Sequence, residues 1–254
     1  MILYFTGTGN SAFVAKGLSE KLGDECVSLN RCLKENLPPV FESKLPFVVV
    51  APIYAWRFPR VVEELMERAE FRGRRELYCV GTMAAQSGSA DKHCAKIADS
   101  KDMVFMGFRG VDMPSNFLPG GNMPSEELVE RTLEKAIPSL DEIAEIIRSG
   151  EKLRKKDRTK FSWFLSGFVN NGFYKYMVRR QEFTVEPGCS GCGLCQRLCP
   201  VNNIRLEDGK PVFGDKCVSC YACIQHCPEE AINLGAQTKS RGRYTCPEYP
   251  NTRK

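Results

Sequence analysis

Two runs of cysteine constrain this 254-residue chain more than anything else in it. Cys189, Cys192, Cys195 and Cys199 are followed by Pro200, and Cys217, Cys220, Cys223 and Cys227 by Pro228, so the pattern C-x2-C-x2-C-x3-C-P occurs twice. The repeat reaches past the cysteines: Ile204 and Ile232 each stand five residues after the last Cys of their run. Paired C-x2-C steps also hold zinc, yet a zinc knuckle uses two thiols and leaves the third Cys and the trailing Pro without a role. Disulfides suit small secreted domains, whereas Met1-Ile2-Leu3-Tyr4-Phe5 has no basic n-region or cleavage site. The expectation is a cytoplasmic chain whose thirteen cysteines are reduced thiols or metal ligands, in an anaerobic or strongly reducing setting.

The spacing resembles that of bacterial ferredoxins, which hold [4Fe-4S] clusters. That resemblance implies two clusters with interleaved ligands. Three thiolates of a tight loop cap one cubane, and the fourth, carried past the Pro, reaches the other. Cys189, Cys192, Cys195 and Cys227 would hold one cluster, and Cys217, Cys220, Cys223 and Cys199 its neighbour. The other five cysteines, Cys26, Cys32, Cys79, Cys94 and Cys246, lack a metal spacing and read as small buried hydrophobes.

The ferredoxin-like part, residues 182-234, uses only a fifth of the chain, so another unit fills the front. Ile2 to Phe5 reads as a strand and Gly9 to Leu22 as a helix, with Thr6-Gly7-Thr8-Gly9-Asn10-Ser11 between them. Glycines that expose N–H groups, hydroxyls and a helix N-terminus together suit a phosphate, although an ordinary turn capped by Asn10 or Ser11 explains the same letters. The string is neither a G-x-G-x-x-G fingerprint nor a Walker loop. It does resemble the FMN-phosphate loop of flavodoxins, [ST]-x-T-G-N-[ST], which also directly follows a first strand.

The rest of the front keeps a strand–helix alternation. Strands are expected at 26-29, 46-51, 76-81 and 103-107, and helices at about 59-70, 89-99 and 125-149, the last kinked or split by Pro138. Such alternation predicts an α/β fold: a flavodoxin-like doubly wound parallel sheet of five strands in the order 2-1-3-4-5, followed by a small α+β two-[4Fe-4S] ferredoxin domain. A ligand then sits at the carboxyl ends of the strands, where loops 6-11, 52-58 and 82-88 meet. On the flavodoxin resemblance, Thr6 to Ser11 would take the phosphate. Pro52, Ile53, Tyr54, Ala55 and Trp56 would face the flavin rings from one side, with Tyr54 and Trp56 as stacking candidates, and Thr82, Met83, Ala84 and Gly88 from the other. The third loop has no acid before Asp91, unlike typical flavodoxins, which should raise the potential of the flavin's last electron.

The units are expected at 1-150 (FMN-binding), 151-181 (basic linker and aromatic helical connector), 182-234 (two clusters) and 235-254 (basic tail). The connector from 150 carries nine Lys and Arg against two acids, and both flanking units are mildly acidic. A charge run of this kind is an ordinary solvated face, and no nucleic-acid partner is expected. Residues 161-180 are rich in apolar and aromatic side chains, among them Phe161, Trp163, Phe164, Phe168, Phe173 and Tyr176. They are read as the joint between units, broken at Asn170-Asn171-Gly172 and closely packed through Gly167 and Gly172, in preference to a membrane-interface helix. The tail is expected to drape over the protein. Neither His93 nor His226 has a partner suggesting acid–base work, and no nucleophile-and-base set is visible.

Taken together, the two halves resemble a family of anaerobes that fuses a flavodoxin-like domain to a two-cluster ferredoxin domain. The resemblance implies electron transfer between redox partner proteins through FMN and two [4Fe-4S] clusters. An FMN-dependent reductase of a quinone or nitro compound is the alternative, and a chain without flavin a third possibility.

Overall fold

The computed structural model describes residues 1–178 and 182–248. Arg179, Arg180 and the tail beyond 248 lie outside them. The front runs β1 (Ile2–Tyr4), α1 (Asn10–Leu22), β2 (Cys26–Ser28), α2 (Leu29–Lys34), β3 (Val40–Ser43), β4 (Phe47–Pro52), α3 (Arg60–Arg68), β5 (Glu70–Gly73), β6 (Glu76–Met83), α4 (Ala90–Ser100), β7 (Val104–Asp112) and α5 (Glu126–Arg148). Five of these strands form one parallel sheet in the order β2-β1-β4-β6-β7, the doubly wound flavodoxin-like arrangement. Every residue of β4 is buried, as befits a central strand covered on both faces. Phe13, Val14 and Leu18 of α1 join Leu140 and Ile143 of α5 over one face, and Leu65 and Met66 of α3 join Cys94 and Ile97 of α4 over the other.

Three local features depart from what the sequence suggested. A short parallel pair, β3 with β5, lies outside the main sheet; Phe41 and Phe71 alone are buried in it, so its polar sequence gives little signal. β7 continues past Gly107 to Asp112. Leu77 pairs with Phe105 but Cys79 with Phe108, so β7 bulges there, and Gly107 at φ +97° lets Leu153 come alongside, its carbonyl oxygen 2.0 Å from where a Cβ would stand. α5 is not split at Pro138.

Residues 162–178 form one unbroken helical run in which α6 (Ser162–Phe164) and α7 (Asn170–Gly172) alternate with π-helical turns at Leu165–Val169 and Phe173–Val178. The expected break at Asn170 is absent because that side chain is buried and bonded. Added Cβ atoms at Gly167 and Gly172 would meet open space, so these glycines do not serve close approach.

Beyond the connector come β8 (Phe183–Val185), α8 (Leu194–Leu198), β9 (Ile204–Glu207), β10 (Lys210–Phe213), α9 (Ala222–Gln225) and β11 (Ile232–Leu234). β9 and β10 form a hairpin closed by Asp208-Gly209, both at positive φ, and β8 pairs antiparallel with β11. The two parts share cores: Cys220 and Ala222 pack with the α2 and α3 side of the sheet, and Leu118 packs with Tyr221, Ile224 and Ile232. Lys34, at the end of α2, donates to the carbonyl oxygens of Gln196 and Cys199 at 3.0 and 3.2 Å, closing the C-terminus of α8 with a cation.

His93 on α4 yields a pH prediction. Burial, with Arg57 and Lys96 adding to it, pushes its imidazole from 6.5 down to about 4, while Asp91 opposes. The unfolded chain therefore binds a proton that the folded chain refuses between those values, so stability falls as pH drops from 6.5 toward 4. The loss is on the order of 1–3 kcal/mol once solvent screening is allowed for. Urea melts of His93→Gln between pH 4 and 7 should show a flatter profile than the parent; identical slopes would refute the assignment.

Candidate cofactor cleft and cluster loops

A cavity of about 860 Å³ opens at the carboxyl ends of the strands, at the upper end of the range for ligand clefts. Its floor is the turn between β1 and α1. Gly9, at φ +104°, ends the turn, and its N–H donates to Thr6 Oγ1 at 3.0 Å. The first intrahelical bond of α1 is from the Phe13 N–H to the Gly9 carbonyl, so the N–H groups of Asn10, Ser11 and Ala12 have no carbonyl within the helix and suit an anion. The polar side chains of the turn are engaged in shaping it. Asn10 Nδ2 donates to the Pro114 carbonyl at 2.8 Å, Asn116 Nδ2 donates to Thr8 Oγ1 at 2.8 Å, and Ser11 shares a 2.8 Å hydrogen bond with Thr82.

Thirteen of the fifteen expected flavin contacts line this cavity: Thr6, Gly7, Thr8, Asn10, Ser11, Pro52, Ile53, Tyr54, Ala55, Trp56, Thr82, Met83 and Ala84. Gly9 and Gly88 do not. Cys246 sits over Gly9, with its Cβ 2.9 Å from where a Gly9 Cβ would be. Gly88, at φ +60°, is pressed against Trp56 and Ser166, where an added Cβ would lie 2.3 and 2.6 Å away. Sequence reading missed Ala85 and Gln86, the 114–117 turn, five connector residues (Phe164, Phe168, Val169, Phe173 and Met177) together with Gly172, and Ser219 and Tyr221. Among the described residues, no Asp, Glu, Lys or Arg lines this cavity.

The second wall turns sharply. Ala55 and Trp56 both have positive φ, 44° and 67°, a conformation costing on the order of 1–3 kcal/mol for each bulky residue. It is held from outside by the connector. Asn170 Nδ2 donates to the carbonyls of Tyr54 and Ala55 at 3.2 and 2.9 Å. Ser166 Oγ accepts from the Ser89 N–H at 2.8 Å and donates to the Trp56 carbonyl at 3.0 Å. Tyr174 OH accepts from the Arg60 N–H at 3.0 Å. The third loop is held by the linker: Asp157 accepts from Ser87 N–H and Oγ at 3.0 and 2.7 Å, and Thr159 Oγ1 accepts from the Gly88 N–H. The joint is thus built from hydrogen bonds as much as from apolar contact.

The cysteines gather into two sets. One small cavity is lined by Cys189, Cys192, Cys195 and Cys227, and another by Cys199, Cys217, Cys220 and Cys223. Among the described residues no three His, Cys, Asp or Glu side chains group as a metal-ion site. Burial pushes the Cys217 thiol up to about 11 and Cys220 to about 12, and the neighbouring thiols Cys217 and Cys199 add to the second. Binding iron there as thiolate must therefore release protons. Backbone N–H groups of Asn203 and Ser219 point at Cys199 and Cys217 sulfurs at 3.2 and 3.4 Å.

The two loops share a backbone path. Gly191 and Gly193, at φ 70° and 73°, correspond to Ser219 and Tyr221, both at 57°. The first loop uses glycine where the path demands it, whereas the second carries side chains there at a conformational cost, and both of those side chains line the large cleft.

Residues 188–232 match the family described as a 4Fe-4S dicluster domain. The chain is 40% identical over 50 residues to a component of the ion-translocating oxidoreductase complex of Methanosarcina acetivorans, 19% of each chain. It is 43% identical over 49 residues to a component of the Na(+)-translocating ferredoxin:NAD(+) oxidoreductase complex of Acetobacterium woodii, 18% of this chain and 15% of that one. The match thus spans a fifth or less of these curated relatives. Among solved structures, a short-chain flavodoxin associated with a non-canonical PDU bacterial microcompartment is 16% identical at a TM-score of 0.36, covering 59% of this chain and 95% of the other. The Trp repressor binding protein from Bacillus subtilis is 13% identical at 0.34, covering 58% and 97%. Strand order, not these likenesses, fixes the fold class of the front.

Cleft and dicluster domain meet directly. The place of a Cβ on Gly7 lies 2.0 Å from the Cys220 carbonyl oxygen, so only glycine fits there. Tyr54, in the cleft wall, feels Cys220, Tyr221 and Cys217 electrostatically; burial first, and then these groups, raise its phenol. The tail ties both sides together: the Cys246 N–H donates to the Thr8 carbonyl at 2.7 Å, Tyr244 OH to Asn10 Oδ1 at 2.7 Å, and the Tyr244 N–H to Gln225 Oε1 at 2.8 Å.

Proposed function

We propose that this chain is an electron-transfer protein in which FMN occupies the large cleft and two [4Fe-4S] clusters occupy the cysteine loops. Cys199, Cys217, Cys220 and Cys223 hold the cluster next to the flavin, and Cys189, Cys192, Cys195 and Cys227 hold the outer one. The observation that carries the reading is the contact of Gly7 with Cys220, by which the phosphate turn and the inner cluster loop share a wall. Charge passing one electron at a time through the clusters would meet a two-electron cofactor across that wall, coupling one-electron to two-electron partner proteins. Neutral donors fit the phosphate: three free helix N–H groups and the α1 dipole, with no cation required. Among the described residues no helix is long and apolar enough to cross a membrane, and we read the chain as cytoplasmic.

Anaerobic reconstitution with iron, sulfide and flavin tests the reading. Expected are about one FMN and about eight iron atoms per chain, with dithionite-reduced clusters bleaching the flavin bands. Iron without flavin would leave a ferredoxin with a docking module. The cleft's size, with an opening edged by Phe164, Phe168 and Met177, also favours a second reading, reduction of a small quinone or nitro compound at the flavin. Turnover of such an oxidant by the isolated protein, fed only through its clusters, would establish it.

A further inference from the structure

The connector helix is amphipathic in the reverse sense from an ordinary surface helix. Its inward row, Ser166, Asn170 and Tyr174, is polar at a spacing of four, and Ser166 and Asn170 have no exposed surface. Its outward row is aromatic: Phe161, Trp163 and Phe168 are 75, 72 and 72% exposed, and Phe164, Tyr176 and Met177 are also exposed. Phe164 and Phe168 stack at 5.4 Å, and Trp163 meets Phe164 edge-on at 5.9 Å, which makes one continuous ridge. A soluble protein turns the apolar stripe inward. Here it cannot turn, because the inward hydrogen bonds to Tyr54, Ala55, Trp56, Ser89 and Arg60 fix the helix about its axis.

Charge identifies what covers the ridge. Lys152, Arg154, Arg158 and Lys160 lead into it and Lys175 lies within it, all exposed. The acids of this stretch are Glu151, before the ridge begins, and Asp157, whose carboxylate is turned into the Ser87 loop. Aromatic side chains including Trp and Tyr, on one helix edged by cations, match the headgroup boundary of an anionic bilayer. Such a helix would lie on the surface, since it is too short and too polar on its inner side to span a bilayer.

We propose that the outward face of residues 161–177 seats the protein on an anionic lipid surface. Phe164, Phe168 and Met177 belong to the ridge and also line the cleft, so the seat brings the mouth of the cleft to the lipid.

Flotation of the full chain with vesicles of phosphatidylcholine, with and without phosphatidylglycerol, tests this. Binding is expected to the anionic vesicles and to weaken as salt rises. Removing exposed cations as Arg158→Gln, Lys160→Gln and Lys175→Gln should weaken it roughly fivefold for each. Phe161→Ser with Trp163→Ser should weaken it about tenfold or more for each ring. Emission from Trp163 should shift to the blue on binding and be quenched by brominated acyl chains. Trp163→Phe, which leaves Trp56 as the other tryptophan of the chain, should abolish the shift. Because the substituted side chains are exposed, iron content and melting temperature should stay unchanged. A full chain that ignores anionic vesicles at low salt overturns the proposal, as does binding indifferent to Phe161 and Trp163. So does capture by an acidic protein surface without any affinity for vesicles.

Discussion

A Gly7→Ala protein is expected to keep its iron and lose its grip on flavin. The added methyl would stand 2.0 Å from the Cys220 carbonyl oxygen and 2.9 Å from its carbon, both backbone atoms that no rotamer change can move. Either the phosphate turn or the inner cluster loop must retreat. Overpacking of this kind costs about 1–3 kcal/mol, and placed on the turn proposed to bind phosphate it should weaken FMN roughly 5- to 150-fold. Flavin titration of the reconstituted protein measures the affinity, and bleaching of the flavin by reduced clusters measures the coupling. Both should fall together, while the cluster absorbance stays. Gly167→Ala is the control, since a Cβ there meets open space. Unchanged flavin affinity and coupling in Gly7→Ala would mean that the shared wall has no functional weight.

What the sequence disclosed was local. The turn from Thr6 to Ser11, the all-apolar β4 and the two cysteine runs each announce themselves within six to eleven residues, because strand burial, helix capping and the ferredoxin spacing are short-range patterns. What it concealed acts across the chain. Asn116 reaches Thr8 over 108 positions, Ser166 reaches Trp56 over 110, and Tyr244 reaches Asn10 over 234. No period or propensity encodes such pairs. The connector shows the same limit: its apolar content suggested a greasy joint, whereas Ser166, Asn170 and Tyr174 bond across the seam and Phe161, Trp163 and Phe168 face outward. Even so, one long-range feature had a trace in the letters. Ser219 and Tyr221 replace the glycines of the first cluster loop, and a side chain placed at a left-handed position marks a site where something other than stability is served.

The uncharged lining of the cleft sets up the second large effect. With no acid among the described lining residues, a reduced, anionic flavin bound there would meet no fixed carboxylate repulsion from them, which should keep the potential of its last electron above that of acid-lined flavodoxins. Ala84 is exposed and borders the cleft, so Ala84→Glu introduces a carboxylate there without filling buried space. At a separation of about 8 Å and an effective dielectric constant of about 20, the repulsion is about 2 kcal/mol, or about 90 mV for one electron. Potentiometric titration should therefore find the hydroquinone couple lowered by tens of millivolts, less at high salt because the site is partly open. Ala84→Gln, of the same size and without charge, should leave it in place. The inner cluster makes this shift consequential: lowering the flavin couple alone reduces the driving force from clusters to flavin, so the flavin should be bleached less completely by reduced clusters in Ala84→Glu than in Ala84→Gln. Equal potentials in the two variants would mean that the flavin does not lie against this loop.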